Sequence, residues 1–149
     1  MKTLPRLFVL CLFVNVSLCM QAQVVKSSRP ELFSSFSTNI PASISELDKA
    51  FAAAPGSLIQ FNFTDKFSFS GTVLSSVQKY NNLSSVIIKS SLLKNSLLSI
   101  SRRINDDNTI TYVGRIINEK YADGYELKKD NTGNYSFNKI KTEDLIQDF

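Results

Sequence analysis

The chain has 149 residues with 17 Lys and Arg, 13 Asp and Glu, two cysteines and no histidine. Without histidine, serine-histidine-acid and cysteine-histidine hydrolysis lack an essential member, and the commonest general base and transition-metal ligand near neutral pH is missing. The formal charge of +4 is a weak cationic excess that gives little basis for neutralising nucleic-acid phosphates, and it shrinks further once the N-terminus is read.

The first 22 residues read as a secretory signal peptide. Lys2 and Arg6 form a positive start, and residues 7–14 (LFVLCLFV) form an apolar run less than half the ~20 residues that a membrane span needs. Cleavage after Ala22 is favoured, although cleavage after Cys19, with the small Ser17 at the third-last position, competes with it. Lipoprotein processing at Cys19, which would tether the domain to a membrane, is a minority alternative. Both Cys11 and Cys19 lie in this segment, so a chain cut after Ala22 has no thiol and no disulfide. Removing Lys2 and Arg6 leaves 15 basic against 13 acidic residues, a net charge of +2 over 127 residues. The expected location is secreted or periplasmic, with no transmembrane segment in the mature chain and no nucleic-acid partner.

Residues 23–39 are serine-rich, with Leu32, Phe33 and Phe36 as their main apolar positions, and read as a flexible lead or a loosely docked arm. Residues 40–149 read as a single domain. Ser43 and Glu46 have capping-box spacing, Ile44, Leu47 and Phe51 fall on one helical stripe, and Pro55-Gly56 ends it, so 43–54 is expected as an amphipathic helix. Beyond Gly56 the period becomes two. Strands are expected at 57–63, 67–79, 83–90, 96–104, 109–117, 124–129 and 134–140, separated by Asn-, Asp- and Gly-rich turns. In 67–79, Phe67, Phe69, Val73 and Val77 share one face and serines share the other. Connections this short hold no crossover helix, so neighbouring strands pair antiparallel. Thr142 can cap a final helix. The expected fold class is thus α+β: an N-terminal amphipathic helix packed on an antiparallel meander sheet of about six to seven strands, with a short C-terminal helix.

Chemistry-bearing patterns are weak. Ser76-x-x-Lys79 and Ser91-x-x-Lys94 match S-x-x-K, but on a strand and in a turn rather than on the helix that motif needs. Glu119, Asp123 and Glu126 are candidate carboxylates for glycoside hydrolysis, with no spacing to favour them. Asp130, Thr132 and Asn134 alternate as in a calcium loop, yet Tyr135 and Lys141 stand where an EF-hand needs glycine and glutamate, and a hairpin turn explains them equally. Asp106 and Asp107 are a similar pair. No metal or cofactor is expected. Asn62, Asn82 and Asn134 begin N-glycosylation sequons, relevant only in a eukaryotic secretory pathway. Arg102, Arg103, Arg115, Lys128 and Lys129 lie on three successive expected strands. Adjacent residues face opposite ways, so about three of these charges can gather on one face to meet an anionic glycan, lipid head group or acidic partner. Tyr112 and Tyr125, with Tyr80, Tyr121 and Tyr135, can add recognition area there or pack in the sheet.

The stretch from VQKYNNLSSVIIKSS through SRRINDDNTITYVGRIINEKYADGYELKKDNTGNYSFNKI, with the Gln21-Ala22-Gln23 ending of the leader, resembles small exported proteins of Bacteroidota over roughly residues 31–149. The resemblance implies a bacterial envelope location and assigns no activity. The expected function is an exported, non-catalytic binding module, its partner an envelope protein or glycan. Possible contact residues are Arg102, Arg103, Arg115, Lys128, Tyr112 and Tyr125. A secreted inhibitor or propeptide-like chaperone is the alternative, and a carboxylate-based hydrolase the third.

Overall fold

The computed structural model describes residues 29–145. The signal peptide, the first part of the lead and the last residues of the expected C-terminal helix lie outside the described residues. In chain order the elements are β1 (Asn39–Ala42), α1 (Ile44–Ala52), β2 (Leu58–Thr64), β3 (Phe67–Tyr80), β4 (Leu83–Lys89), β5 (Leu97–Ile104), β6 (Ile110–Ile117), β7 (Asp123–Lys129) and β8 (Tyr135–Lys141). All eight strands join one antiparallel sheet of order β1-β8-β7-β6-β5-β4-β3-β2, which curls until β1 and β2 approach each other. No helix among the described residues is long and apolar enough to cross a membrane.

This architecture corrects the expected α+β class. Among the described residues the fold is mostly β, eight strands in a nearly closed, barrel-like sheet with one short helix. The helix does not precede the sheet: it is the connection between β1 and β2. The strand that the sequence conceals is β1, four residues with Pro41 among them, too short for alternation to stand out. Ile40 and Ala42 are nevertheless buried, and Asn39 and Pro41 exposed. At the other terminus, residues 142–145 form turns. The Thr142 hydroxyl donates to the Tyr121 carbonyl at 2.9 Å instead of capping a helix.

The helix start is half of a capping box. Glu46 N–H donates to Ser43 Oγ at 3.3 Å, but the Glu46 carboxylate accepts from Lys49 Nζ at 2.6 Å and from Asn62 N–H, on β2, at 3.0 Å. Those contacts hold its carboxyl below the usual range, the Lys49 bond foremost and against the opposing effect of burial. Leu47 and Ala50 face the core, whereas Ile44, expected on the buried stripe, is 52% exposed.

An eight-stranded barrel encloses a lumen that side chains either fill or leave open for one small ligand. Here aromatic rings fill it. Phe33, Phe61, Phe63, Phe67, Phe69, Phe137, Tyr112, Tyr125 and Tyr135 are all buried. They meet in edge contacts such as Phe63–Phe137 at 5.1 Å and Phe33–Tyr125 at 5.2 Å. Among the described residues no buried side-chain nitrogen or oxygen lacks a hydrogen-bond partner.

The seam between β1 and β2 stays open for a local reason. Lys139 N–H donates to the Thr38 carbonyl, so by alternation Thr38, Ile40 and Ala42 turn their backbone groups to β8, and Asn39 and Pro41 turn theirs to the seam. The Ser37 hydroxyl serves both Asn39 groups, donating to its carbonyl at 2.7 Å and accepting from its N–H at 3.3 Å. Pro41 has no N–H, and across the seam Asn62 N–H is taken by Glu46. The backbone groups of Asn39 and the N–H of Asn62 are thus occupied and Pro41 offers no donor, a device that also blunts a sheet edge.

The described part of the expected flexible lead, residues 29–38, lies against the barrel end opposite α1. Asp123, only 2% exposed, accepts from Leu32 N–H at 2.6 Å and Phe33 N–H at 2.8 Å. Lys139 Nζ donates to the carbonyls of Phe33 and Phe36 at 2.7 and 2.9 Å, and the Tyr125 hydroxyl to that of Ser37 at 2.6 Å. These bonds seat Phe33 in the core with no exposed surface.

Candidate functional site

The six residues expected to form a contact surface do not come together. Tyr112 and Tyr125 point into the lumen and are 2% and 0% exposed, which corrects their place on a recognition face. The Tyr112 hydroxyl donates to Asp48 Oδ1 at 2.6 Å. Burial, with the Asp48 bond and charge acting the same way, pushes its phenol well above the ordinary range. Burial and then the charge of Asp123 push Tyr125 up to about 12. Arg102 shares the inner side of β5 and bridges to the helix, 3.4 Å from Asp48 and with its guanidinium 4.7 Å from the centre of the Phe51 ring. Arg103, Arg115 and Lys128 do lie on the outer face, but Glu126 accepts from Arg115 at 2.9 Å and stands 3.3 Å from Lys128. That cluster holds two cations and one anion instead of a cationic patch. Glu126 is brought opposite Arg115 by a β6–β7 pairing only three residues long, which strand periodicity cannot foresee.

The candidate carboxylates are also separated. Asp123 points inward to its two amides, Glu126 points outward on the same strand, and Glu119 is exposed in the connection to β7. Ser76 and Lys79 stand on β3 rather than on a helix, and the pairing with β4 is irregular at Lys79. Asp130 closes its hairpin turn, accepting from the Thr132 hydroxyl at 2.7 Å and from Asn134 N–H at 2.9 Å. These bonds, the hydroxyl's first, lower its carboxyl. Among the described residues no three acidic side chains converge as a metal site.

The feature missed in the sequence is apolar. On the outer face of β4–β6, Ile87 is 37%, Leu97 36% and Val113 58% exposed, with Ile117 beside them. Register sets them in adjoining rows: Lys89↔Leu97↔Ile117, then Ile87↔Ser99↔Arg115, then Ser85↔Ser101↔Val113. Together they floor an open groove of about 480 Å³, with Arg115 and Glu126 on one side. The Ser85 and Ser101 hydroxyls, 2.6 Å apart, bond to each other across β4 and β5. The signal was present in Val86-Ile87-Ile88 and Ile116-Ile117. On a strand with one buried face, consecutive apolar residues cannot all point inward.

Comparison of the chain with protein-family models, curated proteins and solved structures finds no match in any of the three.

Proposed function

We propose that the chain is an exported, non-catalytic interaction module of the bacterial envelope or exterior, and that it binds a protein partner through the outer face of β4–β6. The observation that carries this is the solvent-facing group Ile87, Leu97 and Val113 on a fully hydrogen-bonded strand ladder, while aromatic rings occupy the lumen where a barrel would otherwise take a ligand. A rigid apolar patch loses little conformational freedom on association and gains roughly 25 cal/mol per Å² of apolar surface covered. Arg115 and Glu126, already paired, supply a polar rim. Export is supported by the charge and apolar pattern of the first 22 residues.

Ile87→Thr with Val113→Thr tests this, because threonine keeps the β-branched shape and strand preference while removing apolar surface. Pull-down from the native envelope with the wild-type protein is expected to retain a defined partner. The double variant should weaken that retention about tenfold, equivalent to about 1.4 kcal/mol, with its circular dichroism unchanged. Equal retention by both proteins would overturn the assignment of this face.

A further inference from the structure

We infer that the β4–β5 loop, with the lysines beside it, is a contact for an anionic lipid surface. Residues 90–96 (SSLLKNS) are held rigidly. Ser90 and Ser96 are fully buried. Ser90 N–H donates to the Ser96 carbonyl at 2.9 Å, Leu93 N–H to Ser90 Oγ at 3.1 Å, and Ser96 Oγ to the Leu93 carbonyl at 2.6 Å. Asn118, from the next connection, holds the Lys94 carbonyl at 2.7 Å. Within this frame Lys94 and Asn95 adopt φ of 52° and 66°, two successive non-glycine residues in the left-handed region. Such strain persists only where surroundings over-determine it, and it gathers at functional segments. In this loop the two leucines go different ways: Leu93 packs against the core, while Leu92 is 75% exposed.

The groove beside this loop, which Lys94 and Asn95 join two and three residues after Leu92, is cationic and apolar together. Lys89, Lys94 and Lys120 line a groove of about 480 Å³ with Leu74, Leu97 and Ile117, and Glu119 is its one acid. Lys49, Arg102, Arg115 and Lys128 pair with carboxylates, but these three lysines have no ion pair among the described residues. Lysine is a mobile point charge, not a fork that fixes its acceptor. Three of them lining one groove, beside a loop that exposes a leucine, suit a plane of anionic head groups over an apolar layer better than a shaped pocket on one partner. Arg29 stands at this end as well, donating to the Glu119 carbonyl at 2.8 Å.

This groove adjoins the sheet face and shares Leu97 and Ile117 with it, so the test uses Leu92, Lys94 and Lys120, which do not line the sheet-face groove. Co-sedimentation of protein expressed from the full chain is measured with vesicles of phosphatidylcholine alone and with vesicles also containing phosphatidylglycerol. Selective binding to the anionic vesicles is expected. Leu92→Asp, Lys94→Gln with Lys120→Gln, and high salt should each weaken it about tenfold. Ile87→Thr with Val113→Thr should leave it unchanged. No sedimentation, equal binding to neutral vesicles, insensitivity to both the Leu92 and the lysine variants, or displacement by soluble glycerol phosphate would each overturn the proposal. Loss of a protein partner in the loop variants without any vesicle binding would also overturn it.

Discussion

Tyr112 and Tyr125 show what one side chain's surroundings do to its chemistry. Both phenols keep their protons well above the ordinary range because burial disfavours the anion, and Asp48 and Asp123 act in the same direction. An unfolded chain ionises its tyrosines near pH 10, whereas folded Tyr125 resists to about 12. Between those values the unfolded state binds fewer protons, so stability falls as pH rises. The loss is at most about 1.4 kcal/mol per pH unit for each tyrosine. Urea midpoints taken from about pH 9 upward should therefore be flat and then decline above about pH 10, and Tyr125→Phe should make the decline shallower. At this scale the sequence was misleading. Tyrosine and arginine are the residue types of binding surfaces, yet Tyr112, Tyr125 and Arg102 are used here to bond the helix, the lead and the lumen to one another.

Among the elements, the seven longer strands were legible because period-two alternation and turn residues both mark them. Gly133 at φ 92° and Asn108 at φ 61° occupy the positive-φ positions that their turns required. Curvature was not legible, since it comes from close backbone approach and from bulges. The β3–β4 register shifts between Val73 and Ser75 and again between Gln78 and Tyr80. Beside the first shift, a Cβ on Gly71 would lie 2.4 Å from the Lys89 carbonyl oxygen. Gly71→Ala must therefore push the two strands apart, at a cost of about 1–3 kcal/mol. Thermal unfolding should show a midpoint several degrees lower, whereas no shift would mean that the bulge absorbs the methyl group.

For the whole molecule, the decisive fact is that both barrel ends are covered by segments outside the main meander. Helix α1 lies at one end. Residues 29–38 lie at the other, through Phe33 and the bonds of Asp123 and Lys139. Phe33→Ala removes a ring with no exposed surface and should lower unfolding free energy by about 3–5 kcal/mol in denaturant titrations. A change below about 1 kcal/mol would show that the segment is dispensable to the core. The same closure moves the candidate site. With the lumen filled, the surfaces left for recognition are the outer strands and the rim loops, where Val113 and Leu92 stand exposed.

The sequence by itself determined the local pattern of the chain: the strand periods, the helix start at Ser43, the turn positions and the antiparallel meander, each set by neighbours a few residues apart. Tertiary structure alone decided that a four-residue strand at Asn39–Ala42 joins β8, that the sheet curls, that Asp123 binds backbone amides about 90 residues away, and that Glu126 offsets Arg115 and Lys128. Those outcomes depend on contacts between distant segments, whose register and curvature are set by the packing of the assembled core and leave no periodic trace in the chain.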